Sequence, residues 1–228
     1  MAVDGISRDN LRDRVTEELR KGKPWQPDIL LVKGHSGPVV VKDYHHRPFL
    51  YRAFVGLFSI WHENRMYRKL AGISGIPQCY GKLDRHAIVL EYIPGRNASK
   101  LSVGQVTPDF FVRLQKIVDQ VHARGIVLCD LRNRKNVMVT DRLEPYIIDL
   151  CTAFQRGSRW NLPKNFLFDL FYQDDLLGVA KLKKKVAPEL LSPEEAGKLS
   201  EGLFLQREAM AVRDFCVRWL KKMVAGSR

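Results

Sequence analysis

The chain has 228 residues, 45% of them hydrophobic and 28% charged, enough for one or two domains with a sizeable core and a composition that argues against disorder. No apolar run approaches the roughly 20 residues of a membrane span, and the opening MAVDGISRDNLRDR lacks the apolar core of a signal peptide. The net charge of +13 favours polyanions such as nucleotides, nucleic acid, anionic lipid or phosphorylated sugar, without choosing among them or against a basic surface that only aids solubility.

In chain order, residues 4–21 read as a helix, with Leu11, Val15 and Leu19 at a four-residue spacing. KGKPW breaks it. DILLVK (28–33) and PVVVKDY (38–44) then read as a hairpin joined by GHSG, in which Gly34 and Gly37 can take positive φ. From Tyr51 to Leu70 the pattern is helical, with Gly72 as its stop. GIP (75–77) is a loop, CYGKLD and HAIVLEYI are two more strands, and PGRN is a turn. After Pro94 the character changes. TPDFFVRLQKIVDQVHARG is an amphipathic helix with Thr107 as cap, Pro108 in its first turn and Gly125 at its end. NVMV (136–139) and PYIID (145–149) read as two short strands around a TDRLE turn, and the rest is helix-rich. Four scattered cysteines, Cys79, Cys129, Cys151 and Cys216, form no CxxC pair and read as thiols in a reducing cytosol. A two-part molecule divided near 93–95 follows, and a cleft between two parts is a usual place for a ligand.

CDLRNRKNVMVTDRLEPYIIDLCTAF (129–154) carries the chemistry. The hairpin brings Asp130 and Asn136 at its start toward Asp149 at its end. A carboxylate and an amide oxygen form a hard oxygen set suited to Mg²⁺, which keeps waters and takes phosphate oxygens. A separate carboxylate can orient a hydroxyl and accept its proton. These are the needs of phosphoryl transfer. Singly, each of the three is more often a turn or cap residue. The first half adds Lys42, leaving an apolar strand, and Glu63 on the following helix; a strand lysine paired with a helix glutamate can hold ATP phosphates.

From about Leu30 to Phe154 the chain resembles the protein-kinase-like fold, in the compact atypical form of bacterial lipopolysaccharide core (Kdo/heptose) kinases and RIO-type kinases. VVVK resembles the strand with the nucleotide lysine, Lys42, and HENRMYRKL the helix bringing Glu63. VLEYIPG resembles the hinge, where the backbone of Glu91, Tyr92 and Ile93 would meet adenine. VLCDLRNRKNVMV resembles the catalytic loop, with Asp130 as base and Asn136 as metal ligand, and YIIDL the segment that places Asp149 on Mg²⁺. Arg132 falls where many kinases set a lysine against the transferred phosphate. The resemblance implies an α+β, two-lobed fold. Residues 1–24 would form an N-terminal helical extension. Residues 25–93 would form an N-lobe with a small antiparallel sheet and one main helix. Residues 94–228 would form a mostly helical C-lobe with a short β-hairpin carrying the metal site.

Departures from the pattern are plain. Leu128-Cys129-Asp130 replaces HRD, so control by a phosphorylated activation loop is doubtful. Asn136 lies six residues after Asp130 rather than five, with Asn133 a less favoured substitute. Asp149-Leu150-Cys151 lacks the glycine of DFG. No GxGxxG is present, and only the amides of Gly34 to Gly37 could cap phosphates. Ala187-Pro188-Glu189 matches the end of an activation segment, but ELLSPEEAGKL reads better as a turn in which Ser192 caps a helix starting at Pro193.

WNLPKNFLFDLFYQDDLLGVAKLKKK (160–185) interleaves aromatics and leucines before a lysine cluster. It reads either as two core helices with a basic end or as a face for an acceptor at an anionic membrane surface. Within it, Asp174 or Asp175 could buttress the catalytic loop; solvated helix charge is an equal reading. LQREAMAVRDFCVRWLKKM, with Phe215 and Trp219 four apart, reads as a basic, core-packing helix. The leading expectation is a cytoplasmic, ATP- and Mg²⁺-dependent kinase, peripheral to the inner membrane face if its acceptor is a sugar of a lipid-linked saccharide. Ser/Thr of a protein is the other acceptor. The alternative is a pseudokinase that binds nucleotide or a partner without turnover. A nucleic-acid binder would rest on charge alone, and no specific nucleic acid is expected.

Overall fold

The computed structural model describes residues 3–200, so the expected last helix, with Phe215, Cys216 and Trp219, lies outside the described residues. The chain divides into two compact units. Among the described residues, the first comprises 3–71 and 77–92, and the second 72–76 and 93–200.

The first unit is a five-stranded antiparallel sheet with helices. After a short helix α1 (Leu11–Arg14) come β1 (Val15–Arg20), β2 (Asp28–Lys33) and β3 (Pro38–Asp43). A helical run follows: α2 (Phe49–Tyr51), a wide π turn (Arg52–Gly56) and α3 (Leu57–Leu70). Strands β4 (Cys79–Lys82) and β5 (Ala87–Glu91) complete a sheet of order β1-β2-β3-β5-β4. Alternation sets its two faces. On β3, Val39 and Val41 face a core shared with Val32, Val89 and the N-terminal Val3, Ile6 and Leu11. Each fully buried apolar side chain of this kind contributes roughly 1.5–3 kcal/mol. Lys42 points to the other face, where α3 lies.

The helix expected over 4–21 is not formed. Only Leu11–Arg14 is helical, and Val15–Arg20 is a strand paired antiparallel to β2. Leu11, Val15 and Leu19 fit a helical period, but a helix there would leave the β2 edge with unpaired amides and carbonyls, which β1 satisfies. The N-terminal extension is thus part of the sheet, with two irregularities of register at Val15/Glu17 and Glu18/Arg20.

The second unit is mostly helical. It contains β6 (Arg96–Asn97), α4 (Pro108–Ala123), β7 (Ile126–Val127), β8 (Val137–Val139), β9 (Pro145–Ile147), β10 (Phe154–Gln155) and α5 (Leu162–Val186). Thr107 occupies the cap position of α4 without a side-chain cap bond, and Gly125 closes that helix at φ +66°. Strands β8 and β9 pair as Val137↔Ile147 and Val139↔Pro145, with β6 on the outer edge of β8. Where two helices were expected over 160–185 there is one of 25 residues, capped by the Asn161 side chain. Gly178 sits inside it, and a Cβ there would lie 3.1 Å from the backbone of Leu131 and Arg132. Pro188–Leu190 is a single 3₁₀ turn. Ser192 then caps the helix of residues 193–200, exchanging hydrogen bonds with Glu195.

Candidate functional site

In the first unit, Lys42 Nζ lies 2.5 Å from Glu63 Oε1. Residue exposures are 8% and 1%, so both groups are taken from water and each is the other's compensation for that cost. The strand period puts the lysine on the helix side of the sheet, and the helical period turns Glu63 inward beside Ile60, Met66 and Tyr67. Glu91 closes β5: its N–H donates to the Gln78 carbonyl, and its carboxylate accepts the Gln78 N–H. Tyr92 ends this unit and Ile93, buried, begins the next.

The tip between β2 and β3 was expected to offer its amides to phosphate. Three of them are engaged within the unit. The Gly34 N–H donates to the Gly37 carbonyl, the His35 N–H to the Asp4 carbonyl, and the Ser36 N–H and O–H to the Asp4 carboxylate. Gly37 sits at φ +138°, a conformation that favours glycine. Next to this strap, Arg8 grips Asp43 with two nitrogens and Asp84 with a third. Burial alone would raise the Asp84 carboxyl, but its bonds from Arg8 and the His86 N–H outweigh that and hold it below its ordinary value. Sequence reading missed this strap and clasp; Asp4 and Arg8 carry no periodic signal.

In the second unit, Asp130 and Asn136 come together. The Asn136 Nδ2 donates to the Asp130 carboxylate at 3.0 Å and to its carbonyl at 3.1 Å, and the Asn133 Nδ2 reaches the same carboxylate at 3.3 Å. The six-residue spacing is accommodated by a 3₁₀ turn over Arg134–Asn136, capped by the Asn133 side chain. Asn133 therefore has a structural job, and Asn136 presents its Oδ1 as the remaining acceptor. The Ile148 N–H donates to the Asn136 carbonyl at 2.8 Å, which sets Asp149 one residue beyond that contact. Asp149 and Cys129 both have positive φ, 67° and 64°, a left-handed backbone that costs a non-glycine residue roughly 1–3 kcal/mol and clusters at functional sites.

The loop is held from beneath by α5. Asp175 is fully buried; its carboxylate accepts the Leu128 N–H at 2.7 Å, the Cys129 N–H at 3.1 Å and the His122 Nε2 at 3.0 Å. Of the two acids weighed as a buttress, Asp175 holds the loop backbone and Asp174 pairs with Arg132 at 2.9 Å. Burial pushes Asp175 upward, against its hydrogen bonds from His122 and the amides. Burial, then the neighbouring Asp175, Asp174 and Asp130 charges, push the Cys129 thiol well up and keep it protonated. His122, on α4, was not anticipated. A cavity of about 470 Å³ bordered by His122, Arg156, Phe168 and Tyr172 adjoins this buttress rather than Asp130.

Among the described residues no group of three His, Cys, Asp or Glu side chains could hold a metal ion. Asn136 and Asp149 stand at one end of the β8–β9 hairpin, linked through the bond from the Ile148 N–H to the Asn136 carbonyl. No helix among the described residues is long and apolar enough to cross a membrane.

The fold is protein-kinase-like. The chain is similar in structure to the Rio2 kinase from Chaetomium thermophilum, with a TM-score of 0.56 and 14% sequence identity over 86% of this chain and 74% of that one. No protein-family model matches the sequence. No curated protein matches it either.

Proposed function

We propose that the protein is an ATP- and Mg²⁺-dependent kinase acting on a hydroxyl acceptor. The observation that carries this reading is the buried Lys42–Glu63 pair, in a fold of the kinase type whose second unit bears Asp130, Asn136 and Asp149. Lys42, oriented by Glu63, would meet the ATP phosphates, and the backbone of Glu91 to Ile93 the adenine. Asp130 would accept the proton of the acceptor hydroxyl as its oxygen bonds to the γ-phosphorus and the bond to the β-phosphate oxygen breaks, leaving ADP. Arg132 would exchange Asp174 for charge on the transferring group. Asn136 and Asp149 would hold Mg²⁺, which would supply neutralisation of phosphate charge.

The acceptor is a sugar of a lipopolysaccharide-like, lipid-linked glycan at the membrane surface or Ser/Thr of a protein. Labelled ATP incubated with the protein and a whole-cell extract, then partitioned into lipid and protein fractions, separates the two. Asp149→Asn should lose Mg²⁺-dependent nucleotide binding, whereas Asp130→Asn should bind nucleotide and lose transfer by roughly 10²–10⁴-fold. Unchanged nucleotide binding in Asp149→Asn would remove that residue from the site. One observation favours a second reading, a nucleotide- or partner-binding pseudokinase: Asp4 already occupies amides of the hairpin tip. Binding of nucleotide by the unaltered protein without any transfer would establish it.

A further inference from the structure

The helical run from Phe49 to Leu70 buries one side against the sheet, and the Lys42–Glu63 pair fixes its rotation. The other side is unusual. Every exposed residue of the run is apolar or arginine. Leu50, Phe54, Phe58, Trp61, Arg65 and Arg68 succeed one another at intervals of four, four, three, four and three, which makes a single stripe. Phe54 is 73% exposed and Phe58 60%, where a large aromatic ring ordinarily finds cover. The run has one carboxylate, Glu63, and it is buried. The rings are ordered: Phe58 stacks on His62, and the guanidinium of Arg65 lies 5.5 Å from the centre of Trp61.

We propose that this face docks on an anionic lipid surface. Phe54, Phe58 and Trp61 enter the boundary between headgroups and acyl chains, and Arg65 and Arg68 meet lipid phosphates. Charge complementarity supports that occupant: a stripe with arginines and no exposed acid, on a chain of net charge +13, repels a second copy of itself and attracts an anionic sheet. Apolar shape favours lipid over nucleic acid. Bases stack on flat or grooved platforms fringed with hydrogen-bonding side chains; this stripe is a convex helix whose exposed residues include no serine, asparagine or glutamine.

The test is flotation of the full chain with phosphatidylcholine vesicles, with and without phosphatidylglycerol, and it needs neither ATP nor turnover. Binding should be about tenfold or more stronger with the anionic lipid and weaken with salt. Phe54→Ser/Phe58→Ser should lose binding by about tenfold while melting as the parent does, because both side chains are exposed. Arg65→Glu/Arg68→Glu should lose the preference for phosphatidylglycerol. Brominated lipid should quench tryptophan fluorescence, less so in Trp61→Phe. Four results would overturn the proposal. One is no vesicle binding by the full chain. Another is binding unchanged in both stripe variants but lost in Trp160→Ser/Phe166→Ser, exposed residues of the second unit. The last two are a dimer that the stripe variants abolish, and a nucleic-acid complex that they abolish while vesicle binding persists.

Discussion

The two units hold their polar residues by different means. In the first, ion pairs carry the arrangement: the buried Lys42–Glu63 pair and the Arg8 clasp on Asp43 and Asp84. In the second, Asp130 is placed by a set of neutral and charge-assisted hydrogen bonds, and the loop beneath it hangs on Asp175. A buried pair fails when either partner is removed, because the survivor keeps its desolvation cost. A network can lose an outer bond and keep its shape, but not its central acceptor.

That contrast is broken most severely at Asp175. Asp175→Ala removes the acceptor for two backbone N–H groups and His122 at once, and is expected to cost about 4 kcal/mol, read as a lower denaturant midpoint. Glu63→Ala leaves Lys42 in the interior without its carboxylate partner; its expected cost is about 3 kcal/mol, with Glu63→Gln cheaper.

Thiol chemistry sharpens the comparison, because each unit contains a half-buried reporter. Burial pushes Cys79 up to about 11, and Cys129 is raised further by burial and nearby carboxylates. Among the three described cysteines, an aromatic disulfide reagent near neutral pH should therefore modify exposed Cys151 first and the two reporters slowly, through local opening. Glu63→Ala should speed labelling at Cys79 alone, and Asp175→Ala at Cys129 alone. Equal acceleration of both thiols in either variant would mean that the units open together.

The smallest expected effect is at the Arg8 clasp. Asp84 titrates below its ordinary value of 3.8 in the folded protein. Its contribution is therefore complete above that value and is lost as pH falls through the lower, folded one. The half-exposed geometry keeps this to about 1 kcal/mol or less. Arg8→Ala should flatten the acid limb of the stability profile, and an unchanged limb would assign the acid sensitivity elsewhere.

Much of the fold is legible where one periodicity dominates. The strands around Val39–Val41 and Ile88–Leu90 read from alternation and turn residues, and the helix at Pro108–Ala123 from its apolar stripe. Val15–Arg20 was misread because Leu11, Val15 and Leu19 satisfy a helical period, whereas the strand is dictated by an edge some fifteen residues away in sequence. That Asp130 and Asn136 are neighbours was legible because a short 3₁₀ turn brings them together. Choosing Asp175 over Asp174 required burial, and Asp4 at the hairpin tip required a tertiary contact that no local pattern encodes.

The left-handed backbone at Cys129 and Asp149 has a practical corollary. Glycine adopts that conformation without penalty, so a campaign that ranks variants by heat tolerance alone would drift toward glycine at 149. Such a selection would reward loss of the carboxylate to which the proposed activity assigns the metal. Engineering for robustness should therefore freeze that position and score turnover alongside melting.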